Sequence, residues 1–153
     1  MKKFVAVLLA VMLCLSFAAC GGEKATDKTI DAAAMFKALL NDVAYTDNAT
    51  ELNADMAGVL LGGELPDGTE AYLAANDSAY LRCAVFACKD KDAAAAVKKL
   101  IQTYIDDSID AKYNVDEVAL LQKVKVHTMG NYVAVAVTND TENANKVIDQ
   151  YFA

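Results

Sequence analysis

The sequence predicts an α+β domain in which two strand-strand-helix units form one four-stranded antiparallel sheet, with helices packed on one face and accessory helices at the N-terminus. Three observations lead to this fold class. Four short segments are strongly apolar or alternate in polarity, two longer segments carry apolar residues at helical spacing, and the order strand-strand-helix occurs twice. Apolar positions of the two units also correspond, with Cys83 and Val85 matching Val135 and Val137. The repeat therefore indicates a duplicated architecture.

The accessory elements precede the repeat. The segment "TIDAAAMFKALLNDV" (29–43) places its apolar residues close to one helical face, and Thr29 or Asp31 can cap it. A short helix is expected in "TELNADMAGVLLGG" (50–63), ending at Gly62 or Gly63, and "LPDG" is a turn signature.

The first unit consists of two strands, "TEAYLAA" and "AYLRCAVFACK", and the helix "DKDAAAAVKKLIQTYIDD". The second consists of "VALLQKVKVH", "NYVAVAVTN" and the helix "DTENANKVIDQYF". Strands near 80–88 and 131–138 are apolar on both faces, so we expect them at the centre of the sheet. Lysines alternate with valines along 119–127, which is typical of an edge strand. Both long helices, near 91–107 and 141–151, are expected on the same face.

The N-terminus has the layout of a secretory signal: two lysines, an apolar stretch from Phe4 to about Leu15, and small residues before Cys20. This stretch is shorter than the roughly 20 residues that span a bilayer. "FAAC" followed by "GG" is similar to the lipobox of bacterial lipoproteins, with Phe17 where leucine is usual. The resemblance implies that Cys20 receives a diacylglyceryl group, with fatty acids such as palmitate, and becomes the mature N-terminus; an ordinary signal peptidase site is the alternative.

Three parts of the chain follow from this interpretation. Residues 1–19 are the predicted lipoprotein signal peptide, 20–29 the lipidated cysteine and a flexible tether, and 30–153 a single α+β domain. Two acyl chains hold a protein stably at a membrane without a basic patch. We therefore expect the chain at the cell membrane, lipid-anchored on its extracytoplasmic face.

The net negative charge of the chain argues against binding to nucleic acid. The formal net charge is −7, and it becomes more negative when Lys2 and Lys3 leave with the signal peptide. A protein without a basic surface cannot replace the counterions of phosphates, so binding to nucleic acid is not expected.

Two cysteines remain in the predicted domain, Cys83 and Cys88. Residues five apart in one strand point to opposite faces and lie too far apart for a disulfide, so both are predicted to be unbridged, buried and apolar in character. Two opposed thiols and one histidine also do not supply four convergent metal ligands.

Several segments together resemble a known family, domain-of-unknown-function family 4358, whose members are small bacterial lipoproteins, mostly from Firmicutes. The segments are the leader, the first amphipathic helix, "VFACKDKDAAAAVKKLIQTYI", "YNVDEVALLQKVKV" and "GNYVAVAVTND". The likeness covers roughly residues 30–152, although "AKYNVDEV" lacks the proline that many relatives have there. The resemblance implies an anchored lipoprotein and implies no activity.

No catalytic, cofactor-binding or metal site is predicted. His127, the only histidine, is expected in solvent on the edge strand. Asp106, Asp107 and Asp110 are expected to be solvated at a helix end and do not follow calcium-loop spacing. Tyrosines 72, 80 and 132 can line a partner surface, although packing is their commoner role in strands.

The sequence thus favours a non-catalytic binding or interaction module, whose partner is an unidentified envelope protein, glycan or small ligand. A small envelope hydrolase is the alternative, since two carboxylates distant in sequence can meet in a fold. A carboxylate with a raised pKa in a deep pocket would favour the hydrolase.

Overall fold

A five-stranded antiparallel sheet forms the middle layer of the computed structural model, which describes residues 28–111 and 114–153. The strands are β1 (Thr50–Leu52), β2 (Glu70–Ala75), β3 (Leu81–Ala87), β4 (His127–Met129) and β5 (Tyr132–Ala136). The helices are α1 (Ala32–Asp42), α2 (Met56–Leu61), α3 (Lys91–Ala111), α4 (Val115–Leu121) and α5 (Thr141–Phe152). The α+β class is therefore confirmed. The predicted signal peptide and most of the tether lie outside the described residues.

The sheet order is β1-β2-β3-β5-β4. β3 and β5 lie inside the sheet and are hydrogen-bonded to each other, as the apolar character of both of their faces predicted. β4 is an edge strand and is only three residues long, as is β1 at the other edge. The prediction of four strands missed β1, whose Thr50–Leu52 pairs with the end of β2.

Helices cover both faces of the sheet, so the prediction that they share one face is wrong. α3 buries Val97 and Ile101 on the face that carries Phe86 and Val135. α5 buries its apolar side on the opposite face, together with α1. The physical reason is that β3 and β5 are apolar on both faces, and a single helical layer would leave one of those faces in water.

α1 is a core element, although the sequence indicated an accessory one. Met35, Phe36 and Leu39 are completely buried, and they pack against β3 and against α5. The helix begins where the sequence predicted, because Asp31 Oδ1 accepts a hydrogen bond from Ala34 N at 2.9 Å.

The segment 119–127 is largely not a strand, which corrects the prediction. Residues 115–121 form α4, whose cap Asn114 accepts hydrogen bonds from the backbone N–H groups of Asp116 and Glu117. Leu120 and Leu121 are buried beneath it. Only His127–Met129 pairs with β5. The capped start and the buried leucine pair make the helix the better arrangement for this stretch.

The short helix α2 follows the prediction at its end. Gly62 adopts a φ of 73°, in the left-handed region, and closes the helix with a hydrogen bond to the Gly58 carbonyl. No helix among the described residues is long and apolar enough to cross a bilayer.

Cys83 and Cys88 are both free and both buried, which confirms that they are unbridged. Cys83 lies on the α1 face of the sheet and Cys88 on the α3 face. Burial raises the pKa of the Cys83 thiol to about 11, and burial also raises the pKa of Cys88.

We expect both thiols to be inert in the folded protein. A thiol that is buried and protonated presents little thiolate to a disulfide reagent at pH 8. In a chain that carries Cys14→Ser and Cys20→Ser, Ellman's reagent should titrate no thiol under native conditions and two thiols in 6 M guanidinium. A thiol that reacts within seconds in the native state would contradict this burial.

Candidate functional site

The most unusual side chain in the described residues is Arg82, a guanidinium that is only 2 % exposed near the end of the inner strand β3. Its position follows from a β-bulge. Ala74 pairs with Cys83 and Ala75 pairs with Leu81, so Arg82 is the extra residue of β3. Bulges redirect side chains, and this one turns Arg82 out of the regular alternation at the end of the strand.

Asp47 and Glu117 neutralise Arg82 from two sides; we call these three residues the Arg82 cluster. Nε and Nη2 of Arg82 donate to the two carboxylate oxygens of Asp47, at 2.6 and 2.8 Å. Nη1 and Nη2 donate to the two oxygens of Glu117, both at 2.9 Å, and Nη1 also donates to the Leu81 carbonyl. All five N–H donors of the guanidinium therefore have an acceptor.

The two carboxylates differ in exposure. Glu117 is 5 % exposed, whereas 40 % of the Asp47 side chain is exposed to solvent. Hydrogen bonds from Arg82 lower the pKa of Asp47 to about 2, against a smaller opposing effect of burial. Burial lowers the pKa of Arg82, but its hydrogen bonds to Asp47 and Glu117 outweigh this and raise its pKa above the ordinary value. Asp47 and Arg82 are thus both charged at neutral pH.

Asn76 connects the β2–β3 turn to Asp47. Asn76 Nδ2 donates to Asp47 Oδ2 at 2.7 Å, and Asn76 Oδ1 accepts from the backbone of Ser78 and Tyr80. Ala79 between them has a φ of 63°, a left-handed conformation that a residue with a side chain rarely adopts. One asparagine therefore shapes the β2–β3 turn and orients the carboxylate.

The loop that carries Asp47 is tied to the end of β5 as well. The Thr138 hydroxyl is almost completely buried and donates to the Ala44 carbonyl. Asp140 Oδ2 accepts from Ala44 N at 3.3 Å. Glu117 is held from its own side, since Asn114 caps the helix that carries it.

Two concave surfaces adjoin the Arg82 cluster. The polar cleft, about 440 Å³, is lined by Thr46, Asn76, Asn139, Asp116 and the cluster itself. The apolar groove, about 320 Å³, lies between α2, the end of α3 and the start of α4, and is lined by Val59, Leu60, Tyr104, Asp107 and Ala111. Tyr80, Asn114 and Glu117 line both, so the two surfaces are neighbours.

Tyr104 closes the inner side of the apolar groove. Its hydroxyl oxygen accepts a hydrogen bond from Leu81 N at 3.1 Å, and burial raises its pKa. It therefore connects α3 to the strand residue that precedes Arg82.

The residues that the sequence singled out lie mostly elsewhere. His127 is buried rather than solvated: its Nε2 lies 2.8 Å from Asn145 Oδ1 of α5. Asp106 and Asp110 are exposed on α3, as predicted, and Asp107 lines the apolar groove. Of the three tyrosines, Tyr132 is buried and accepts from Ile30 N, Tyr72 packs near Phe36, and Tyr80 lines both concave surfaces.

Cys20 lies outside the described residues. Sequence analysis also missed Arg82, Asp47 and Glu117. A signal was present for Arg82, because a cation inside an otherwise apolar strand must find partners or stay exposed. A second signal, the helix start at Asn114, was present for Glu117. No group of three or more His, Cys, Asp and Glu side chains arranged for a metal ion occurs within 28–111 and 114–153.

Removing one partner of the buried pair should destabilise the fold strongly. Glu117→Ala leaves two Arg82 donors buried without an acceptor, and we expect it to lower the free energy of unfolding by about 3–5 kcal/mol. The matched control is Lys37→Met, which breaks the exposed pair between Lys37 and Glu51 and should cost about 0–1 kcal/mol. Urea unfolding followed by circular dichroism measures both, and equal losses would contradict the assignment.

Acid should weaken the fold through Asp47. Its folded pKa of about 2 lies below the unfolded value, so its contribution is complete above about pH 4 and is lost as pH falls toward 2. Between pH 4 and pH 2, the free energy of unfolding should therefore fall less in Asp47→Asn than in the wild type. The control is Asp77→Asn, in the exposed turn nearby, whose free energy of unfolding should depend on pH as in the wild type. The same dependence on pH in all three chains would refute the role of Asp47.

Comparison with known families identifies the central part of the chain. No curated protein and no solved structure shows a significant match. Residues 66–138 match the family model described as "Domain of unknown function (DUF4358)". The match spans β2 to β5, with Arg82 and Glu117 inside it and Asp47 outside. The resemblance to the DUF4358 family is therefore confirmed over residues 66–138, a shorter range than the 30–152 that the sequence indicated.

Proposed function

We propose that this chain is a membrane-anchored extracytoplasmic lipoprotein whose folded domain is a non-catalytic binding module. The polar cleft and the apolar groove form its binding surface. The observation that carries the proposal is the saturation of the Arg82 cluster, in which every guanidinium donor and both carboxylates are already engaged. Such a cluster holds the walls of a cleft in place, and it leaves no member free for a reaction.

The anchor is supported by the sequence alone. The leader and "FAAC" point to acylation of Cys20, and a short polar stretch leads from there to Lys28, where the described residues begin. Its composition is that of a flexible tether. A domain held this close to a membrane has a raised effective concentration toward envelope partners, which benefits a binding protein whatever its ligand.

The hydrolase alternative finds less support at this surface. General acid catalysis by a carboxyl group requires a pKa raised toward neutral pH. In the polar cleft the pKa of Asp47 moves the opposite way, because Arg82 donates two hydrogen bonds to its carboxylate. Asp107 and Asp116 are exposed at the rims, where water solvates them. The ligand is therefore held by shape and charge.

Acylation of Cys20 is the first test of the proposal. Cells fed a labelled fatty acid should incorporate the label into the wild-type chain and into Cys14→Ser, whose substitution lies within the leader. Cys20→Ala should remain unlabelled. Equal labelling of Cys20→Ala, or absence of label in the wild type, would remove the anchor from the proposal.

Absence of turnover is the second part of the same test. Peptidase, glycosidase and esterase substrates should show no hydrolysis above background with the mature chain. Hydrolysis that disappears in Asp116→Asn and persists in Asp106→Asn, an exposed change outside both concave surfaces, would favour the hydrolase instead.

A further inference from the structure

The apolar groove exposes side chains that the core does not use. Val59 of α2 lines the groove and is 73 % exposed; Met56, one helical turn away and outside the lining, is 44 % exposed. Val59 and Leu60 form one wall of the groove, and Tyr104 with Ala111 forms the other. The opening has the size of a site for a few side chains or a small molecule.

The groove continues into an acidic surface. Four carboxylates line the groove and the polar cleft together, those of Asp47, Asp107, Asp116 and Glu117, against the single guanidinium of Arg82. The lining therefore carries a net charge of −3. The net charge stays negative when two neighbouring lysines are counted. Lys123 donates to Asn139 at the rim of the cleft, and Lys112 follows Ala111 in the sequence. A ligand that complements this surface carries a positive charge next to apolar groups.

The surface also lies at the end of the sheet remote from the tether. Ile30, at the start of the domain, donates to Tyr132, which pairs with Ala87 at one end of β3. Arg82 lies near the other end of the same seven-residue strand and Tyr80 directly precedes that strand, roughly 20 Å away. The groove therefore lies at the opposite end of the sheet from Ile30, near which a lipid-anchored tether would join the domain, so a peptide is a better candidate for its occupant than a lipid surface.

We propose that the groove and the cleft together bind a basic, apolar peptide segment of an envelope protein. A lysine or arginine side chain of that segment enters the polar cleft, and a neighbouring leucine-like side chain covers Val59 in the groove. This inference rests on the proposed binding function and names the class of its partner.

The test is a titration of the ¹⁵N-labelled mature chain with the blocked peptide Gly-Leu-Lys-Leu-Gly, followed by backbone amide shifts. Amides around Val59, Tyr80 and Asp107 should shift in a saturable manner, and the peptide with glutamate in place of lysine should bind at least about tenfold more weakly. Raising the salt concentration should weaken binding of the lysine peptide, since the charges are exposed.

Matched variants localise the binding. Val59→Ser and the pair Asp107→Asn with Asp116→Asn should each weaken binding about tenfold, by loss of apolar contact and of charge respectively. The controls are Val115→Ser, which removes a similarly exposed valine that lines neither concave surface, and Asp106→Asn, both of which should bind as wild type.

Three outcomes overturn the inference: no saturable shift at millimolar peptide, equal binding of the glutamate peptide, or equal effects of the control variants. Butylamine binding as tightly as the peptide would also overturn it, by identifying a site for small amines. These failures leave acylation of Cys20 and the absence of turnover untouched, so they are distinguishable from failure of the proposed function.

Discussion

Burial of the Arg82 guanidinium is the constraint on which the rest of this structure depends. A charged group inside a sheet must have its donors satisfied, because an uncompensated charge in the interior costs several kcal/mol. The acceptors come from Asp47, Glu117 and the Leu81 carbonyl. Asp47 belongs to the loop after α1 and Glu117 to α4, so one side chain fixes two segments that flank the end of β3. The walls of the polar cleft follow from that arrangement.

The two-sided burial of the sheet explains where sequence reasoning succeeded and where it failed. The apolar stripes of α3 and α5 correctly predicted two amphipathic helices, because periodicity reports which side of a helix is buried. Periodicity does not report which side of a sheet the helix covers. The continuous apolar runs in β3 and β5 carried that information, since residues such as Cys83 and Phe86 point to opposite faces and both are completely buried. A second helical layer was therefore required, and α1 supplies part of it.

The candidate site was less accessible to prediction than the fold. Arg82 stands out within "AYLRCAVFACK", but each of its carboxylate partners is 35 positions away along the chain, one on either side. Nothing local to Asp47 distinguishes it from the other exposed acids. Glu117 was hidden by the interpretation of 119–127 as a strand, which rested on the Lys-Val alternation after Lys123. The overlooked signal was Asn114, followed by Asp116 and Glu117, which is a helix start.

A saturated ion cluster is suited to recognition because it is already ordered before a ligand arrives. Asn76 holds the β2–β3 turn through backbone hydrogen bonds and donates from its side chain to Asp47. Asn114 holds the start of the helix that carries Glu117, so the cleft walls do not have to be assembled on binding. Preorganisation of this kind lowers the entropic cost of association. The exposed valine of α2 adds apolar contact area at the same end of the sheet. Rigidity from the Arg82 cluster and apolar contact from the groove thus act on one surface, whose net negative charge complements the basic segment that we propose as its partner.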